Sequence, residues 1–142
     1  RFSKLKTISQ PNPSIFAPMI KLLEHTRRPD ISFSRKRGTI RITARVARVL
    51  ALRPGDAINI AVSNGEYYLH AVHITNGIGR FEAQCWPTKK GSGNYCASCV
   101  RLCRSLLDSV GVKADKVAYM VGQAFERDST TYVPIITLHP LL

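Results

Sequence analysis

The sequence predicts an α+β fold in which two strand-helix-β-hairpin units form an interlocked, pseudo-duplicated, β-barrel-like core, with a helix at the N-terminus. Two observations predict this fold. Hydrophobic residues recur with a period of two in some segments and with the period of a helix in others. The same order of strand, helix, hydrophobic exit turn, aspartate and hairpin then occurs twice, over residues 31–74 and 81–138. The chain has 142 residues, of which 44% are hydrophobic, enough for one domain with a buried core.

Residues 1–30 are predicted to form an N-terminal arm and helix ahead of a single domain over residues 31–142. A Pro-Asn-Pro run at positions 11–13 ends the arm. Ser14 can cap a helix that runs to about Glu24, because a serine hydroxyl accepts a hydrogen bond from a free amide in the first turn. Pro29 and Asp30 then end the helical segment.

The first unit begins with two alternating strands, at residues 31–34 and 39–43, joined by a turn over 35–38. Ile40 and Ile42 share the inner face of the second strand. From residue 44 the period is helical, with Val46, Val49 and Leu50 pointing inward. Pro-Gly-Asp at 54–56 ends the helix, and Asn-Gly at 64–65 predicts a type I′ turn between two further strands.

The second unit is predicted to repeat this order. Residues 81–86 read as a strand and residues 87–94 as a loop rich in glycine and lysine. An amphipathic helix follows from Tyr95 to about Ser109. Residues 117–123 and 132–138 then form a second hairpin around residues 126–129.

Four cysteines raise the question of a metal site, because Cys96 and Cys99 have the spacing of a zinc knuckle, with Cys103 as a third ligand and either Cys85 or a histidine as the fourth. In the predicted helix, however, Cys96, Cys99 and Cys103 lie on the apolar stripe, and free cysteine is among the most buried residue types. We therefore expect core packing, with no metal and no cofactor. Cysteines clustered in this way do not suit a secreted disulfide scaffold, and we expect a cytoplasmic protein.

The charge of the chain indicates its class of partner. Lys and Arg number 21 against 9 Asp and Glu, a net charge of +12, and no apolar stretch reaches the length of a membrane span. An excess of this size favours polyanions, nucleic acid first. Between residues 27 and 53 there is one acid, Asp30, and nine basic residues: Arg27, Arg28, Arg35, Lys36, Arg37, Arg41, Arg45, Arg48 and Arg53.

The first unit resembles the AbrB/MazE/SpoVT swapped-hairpin family over residues 31–74. The resemblance rests on Gly-Thr-Ile-Arg-Ile-Thr at 38–43, a short basic helix, the exit Leu-Ala-Leu-Arg-Pro-Gly-Asp at 50–56 and the hairpin that follows. Thr43 stands where the family usually has proline, and Ala51 where it usually has glycine. The resemblance implies a DNA-binding fold in which two such units interlock, normally as a homodimer. Here the second unit is a candidate for the partner within the same chain.

The resemblance also implies where DNA would be contacted. The family's basic loop and helix positions match Arg35, Lys36, Arg37 and Arg48, and a transcriptional regulator is the implied role. From the sequence pattern alone, Arg41 and Arg45 extend the same polar face. The whole segment, through Arg53, is the predicted nucleic-acid-binding surface.

Two other functions stay open at this point. Aromatic residues on strands beside basic ones can stack unpaired bases, which would make the chain a single-strand binder; the candidates are Tyr67, Tyr68, Phe81, Trp86, Tyr95 and Tyr119. Members of the resembled family also act as antitoxins, so a protein-interaction module with an unknown partner is the third possibility. No catalytic motif is recognised, and we expect a protein that is not an enzyme.

Overall fold

The fold is mostly β, so the predicted α+β class is wrong. The computed structural model describes residues 29–74 and 82–141, and strands account for 48% and helices for 16% of it. The elements in chain order are β1 (Ile31–Ser34), β2 (Thr39–Ile42), α1 (Ala44–Val49), β3 (Ala57–Ser63), β4 (Glu66–Val72), β5 (Cys85–Pro87), β6 (Tyr95–Ser98), α2 (Val100–Val110), β7 (Lys116–Val121), β8 (Phe125–Arg127) and β9 (Thr130–Leu141). The predicted N-terminal arm and the helix over 14–24 lie outside the described residues.

The strands form one curled antiparallel sheet, a half-barrel, in the order β3-β4-β9-β7-β1-β2-β6-β5, with β8 paired to β9. Two-strand segments from the first and second halves of the chain alternate across this order, so neither half makes the sheet alone. The segments that begin β3 and β5 also bond to each other. The Ile58 amide donates to the Ala83 carbonyl at 3.1 Å, and the Cys85 amide donates to the Asp56 carbonyl at 2.7 Å.

Local sequence signals explain the first half of the chain. Ile40 and Ile42 are buried on the inner face of β2 and Arg41 is exposed, as predicted. Asn64 and Gly65 both have positive φ in a two-residue turn that pairs Ser63 with Glu66, which confirms the type I′ turn.

The helix α1 has only six residues. Val49 is 43% exposed on it, contrary to prediction, and Ala47 takes the buried place beside Val46. At about 100° per residue, Val46, Ala47 and Leu50 form one buried face of the helical turn, and Val49 lies outside it.

The second half corrects the predicted helix. Residues 95–98 form the strand β6, which pairs with β2 on one side and β5 on the other, and α2 begins only at Val100. Cys96 therefore lies on a strand and Cys99 caps the helix, so the predicted cysteine stripe does not exist. The predicted strand over 81–86 is also misplaced, because β5 covers Cys85–Pro87.

The core lies on the concave side of the sheet, beneath the two helices. From α2, Cys103, Leu106 and Leu107 are buried there, facing sheet residues such as Phe33 and Tyr119. The rings of Phe33 and Tyr119 meet edge to face, with centroids 6.1 Å apart. Side chains at alternate strand positions point the other way, and we call that side of the sheet its outer face.

Candidate nucleic-acid interface

Three of the seven predicted basic residues bind carboxylates of the protein itself. The Arg35 guanidinium donates from Nη1 to Asp108 Oδ1 at 2.6 Å and from Nη2 to the Val112 carbonyl. These bonds tie the β1–β2 turn to the end of α2. The side chain is 24% exposed, so Arg35 is chiefly a structural link.

Arg45 and Arg53 lie against buried aspartates. Arg45 Nη2 lies 2.6 Å from Asp30 Oδ1, and Arg53 Nε lies 3.6 Å from Asp56 Oδ2. Asp56 also accepts hydrogen bonds from the Arg53 and Ile74 amides and lies 2.7 Å from His73 Nδ1. Burial raises the pKa of Asp56, but these hydrogen bonds and the His73 charge outweigh burial and leave the pKa below its ordinary value.

The other four predicted residues, Lys36, Arg37, Arg41 and Arg48, are exposed. Among the described residues, no hydrogen bond or ion pair engages their side chains. The Lys36 backbone amide does donate to Asp115 Oδ1 at 2.7 Å, which fixes the turn that carries Lys36 and Arg37. These four cations are the part of the predicted surface available for a ligand.

A cleft of about 270 Å³ lies on the outer face of β1, β2 and β7. Among the described residues, three cations and no acid line it, together with small polar and apolar residues. We call it the basic cleft; its lining residues are Ser32, Phe33, Ser34, Arg37, Thr39, Arg41, Lys116, Val117, Ala118 and Leu141. Strand register explains the grouping, because Ser32 pairs with Arg41 on one side and Ala118 on the other, and Ser34 pairs with Lys116.

Lys116 is the functional candidate that the sequence prediction missed. It is the first residue of β7, and the alternation Lys116-Val117-Ala118-Tyr119 puts Val117 and Tyr119 in the core and Lys116 outside. That alternation was a usable signal. No signal in the sequence predicts that Lys116 lies beside Arg37 and Arg41, because β1 and β7 pair across more than eighty residues of sequence.

A second cleft of about 260 Å³ adjoins the basic cleft and shares Ser32 and Arg41 with it. Thr88, Asn94 and Tyr95 contribute to its other side. Asn94 Oδ1 accepts the Ala44 amide at 2.7 Å, so the 88–94 loop is held against the start of α1. The two clefts continue one another along the outer face.

Of the predicted stacking aromatics, Tyr95 lines the second cleft but is half-buried, with its hydroxyl donating to the Leu52 carbonyl at 3.2 Å, whereas Trp86 is exposed. Trp86 pairs with Cys96, which pairs with Arg41, so the three residues form one row across β5, β6 and β2. The indole is 55% exposed. Tyr67 and Tyr119 are buried and unavailable to a base, and Phe81 lies outside the described residues.

A separate aromatic cluster lies on β4, β8 and β9. Phe125 stacks on Tyr132 with centroids 5.7 Å apart and meets Tyr68 edge to face at 5.5 Å. The Tyr68 hydroxyl donates to Glu66 Oε1 at 2.6 Å, and that carboxylate raises the pKa of Tyr68. Glu126 and Asp128 are exposed nearby on the β8–β9 hairpin, a poor setting for a polyanion.

The cysteines are free thiols. Burial raises the pKa of Cys85 to about 12 and of Cys103 to about 11, so both are inert at neutral pH. Within residues 29–74 and 82–141, no group of three His, Cys, Asp or Glu side chains is arranged to hold a metal ion.

No family model, curated protein or solved structure matches the chain. The swapped-hairpin resemblance therefore stays a prediction. In the part of the chain that the structure describes, neither helix has the length and apolar character needed to cross a membrane.

Proposed function

We propose that this protein is a non-enzymatic nucleic-acid-binding protein that binds duplex DNA. The observation that carries the proposal is the basic cleft, where Arg37, Arg41 and Lys116 meet on the outer face and no acid is found among the lining residues that the structure describes. The net charge of +12 acts in the same direction. A role as a transcriptional regulator is what the swapped-hairpin resemblance adds.

The mechanism is phosphate neutralisation. Arg37, Arg41 and Lys116 in the cleft and Arg48 on α1 are exposed cations that pair with no carboxylate in the described part of the chain and can pair with phosphates, with Lys36 beside them. Each phosphate neutralised releases condensed counterions, so four contacts give a slope of about −3.6 for log affinity against log salt on duplex DNA. Arg35 is not part of this mechanism, since its guanidinium holds Asp108 and Val112.

Single-stranded nucleic acid is the second candidate, and exposed Trp86 favours it. Trp86 shares a row with Arg41, and adjacent strands are about 4.8 Å apart. An indole two strands from an arginine can stack a base while the arginine holds the neighbouring phosphate. Duplex DNA needs no such stacking platform.

The test is a salt-titrated binding assay that compares a duplex with its single strand at matched length. The parent is compared with an Arg37→Ala/Arg41→Ala/Lys116→Ala variant, with Trp86→Ala, and with Arg127→Ala as the matched arginine control on the β8–β9 hairpin. We expect the triple variant to lose about a hundredfold in duplex affinity at low salt and to flatten the salt slope by about 2.7. Arg127→Ala is expected to bind as the parent does.

The two candidates give opposite results. Tighter duplex binding that Trp86→Ala leaves unchanged supports the duplex proposal. Preference for the single strand, lost in Trp86→Ala, replaces it with the second candidate. A triple variant that binds both probes as tightly as the parent at equal salt overturns both.

We also propose a cytoplasmic location, which four free cysteines support because thiols persist in a reducing compartment. The resemblance also implies self-association, which sedimentation of the full chain tests. It implies a protein partner of the antitoxin kind as well, which capture of a neighbour-encoded ribonuclease tests.

A further inference from the structure

The floor of the basic cleft contains a serine whose hydroxyl has no bonding partner. Ser34 lines the cleft, is 8% exposed, and its Oγ is shielded from solvent without a hydrogen-bond partner among the described residues. A buried polar atom without a hydrogen bond normally destabilises the fold. An unpartnered hydroxyl in the wall of a cleft therefore indicates that a bound ligand supplies its hydrogen-bond acceptor.

The chemistry around Ser34 selects the ligand. Arg37, Arg41 and Lys116 supply positive charge with rigid and flexible donors, and Ser34 pairs with both Thr39 and Lys116 in the sheet. A hydroxyl donor surrounded by cations fits an anion with several acceptor oxygens. The volume, about 270 Å³, lies below the range of about 300–1,000 Å³ usual for drug-sized ligands and suits a small group.

We propose that the basic cleft is a seat for one phosphate group of the bound strand, held by Arg37, Arg41 and Lys116 and by a hydrogen bond from the Ser34 hydroxyl. The inference rests on the proposed function, which it narrows from a charged face to one subsite. Ser34 Oγ reaches the phosphate by rotation about χ1, a single torsion with three staggered positions. Leu141 and Ala118 give the cleft wall an apolar part beside these donors.

The test uses a pair of hydroxyl deletions in the full chain. Ser34→Ala and Tyr119→Phe each remove a buried hydroxyl that has no partner among the described residues, but only Ser34 lines the cleft. Because each deletion relieves a buried unpaired group, neither variant is expected to lower the melting temperature. The two variants are expected to differ in their affinity for phosphate.

The probes are inorganic phosphate, deoxyadenosine 5′-monophosphate and deoxyadenosine, titrated at constant ionic strength and followed by amide chemical shifts. We expect the two phosphate probes to shift the amides of Ser34, Arg41 and Lys116, and deoxyadenosine to leave them unmoved. Ser34→Ala should weaken phosphate binding about tenfold, and Tyr119→Phe should not change it. Arg41→Gln, an exposed position, is the second variant and should weaken binding to a similar extent.

The outcomes separate this inference from the proposed function. Phosphate affinity equal to that of the parent in Ser34→Ala overturns the seat as proposed, whatever Arg41→Gln does and even when duplex binding persists. Deoxyadenosine binding as tightly as its monophosphate also overturns it. Phosphate binding at the cleft without binding to either nucleic-acid probe overturns the assignment to a strand and leaves free phosphate or a nucleotide as the ligand. Loss of both duplex and phosphate affinity in Ser34→Ala supports the inference in full.

Discussion

Arg45 Nη2 lies 2.6 Å from Asp30 Oδ1, and this pair joins α1 to the beginning of β1. Asp30 is buried, and its other carboxylate oxygen accepts the Val121 amide at 3.0 Å. Its backbone carbonyl accepts the amide and hydroxyl of Thr43. One residue thus connects β1, α1 and β7, three elements separated by as many as 91 positions in the sequence.

Replacement of Asp30 should therefore lower stability. We expect Asp30→Ala to lose about 2 to 3 kcal/mol of unfolding free energy, because the Val121 amide and the Arg45 guanidinium both lose their partner. Asp30→Asn keeps an acceptor for the amide and should lose about half as much. Urea unfolding measures both, and an Asp30→Ala variant within 0.5 kcal/mol of the parent would contradict the role.

Asp56 gives a pH-dependent prediction. Its pKa is lowered from 3.8 in the folded chain, because the bonds from His73 and from the Arg53 and Ile74 amides outweigh burial. The stability it contributes is therefore fully present above pH 3.8 and is lost as the pH falls through the lowered pKa. We expect Asp56→Asn to be less stable than the parent at pH 7, with the difference shrinking below pH 4. If the difference in unfolding free energy between Asp56→Asn and the parent stays constant from pH 7 to pH 2.5, ionisation of Asp56 does not stabilise the folded chain.

Local patterns predicted some elements correctly and non-local pairing decided the rest. The alternation of Ile40 and Ile42 with Arg41, and the Asn64-Gly65 turn, depend on neighbouring residues and are confirmed. Residues 95–98 have helical spacing of apolar residues but form a strand, since β2 and β5 offer hydrogen bonds on both sides. Period alone cannot reveal such partners.

Local patterns likewise predict one part of the candidate site, and non-local contacts decide the other. The excess of cations is a property of composition, and the basic segment that it singles out includes Arg37 and Arg41, which line the cleft; that they bind a ligand stays a prediction. The engagement of Arg35 by Asp108 joins positions 73 apart, and no local signal distinguishes Arg35 from Arg37 in the run Arg35-Lys36-Arg37.

That distinction is testable with two neighbouring arginines. We expect Arg35→Ala to lose about 1 kcal/mol of unfolding free energy, since Asp108 is exposed and its ion pair is screened, while the bond to the Val112 carbonyl is partly buried. Arg37→Ala should keep the stability of the parent and bind duplex DNA more weakly. Urea unfolding measures the change in stability, and a DNA-binding assay at fixed salt measures the change in affinity. If Arg37→Ala lost stability and Arg35→Ala weakened only DNA binding, the structural role of Arg35 and the binding role of Arg37 would be refuted.

Gly38 should not tolerate a side chain. It has φ of +70° in the β1–β2 turn, and a Cβ atom there would lie 2.6 Å from the Val100 backbone nitrogen. Its carbonyl also accepts the Cys99 amide at 2.8 Å, so α2 begins directly against the turn. We expect Gly38→Ala to lose about 3 kcal/mol or more of unfolding free energy, from strain and displacement of α2. A loss below 1 kcal/mol would show that the turn can shift freely.

The ends of the two helices provide a matched pair for the last prediction. In each, the amide of the residue after a left-handed position donates to a carbonyl five residues earlier: Leu52 to Ala47 at 2.9 Å after α1, and Val112 to Leu107 at 2.9 Å after α2. The left-handed residue is Gly111 after α2 but Ala51, with φ of +54°, after α1.

An L-residue in that conformation is strained by roughly 1–2 kcal/mol, and glycine relieves the strain but loses more backbone entropy on folding. We therefore expect Ala51→Gly to raise the unfolding free energy by about 0.5 to 1 kcal/mol. Gly111→Ala should lower it by a similar amount, because its Cβ would meet nothing within 4 Å and only the strain remains. Urea unfolding of the two variants and of the double exchange checks both signs. If Ala51→Gly destabilises the chain, the strain at the end of α1 is smaller than the entropy that glycine loses.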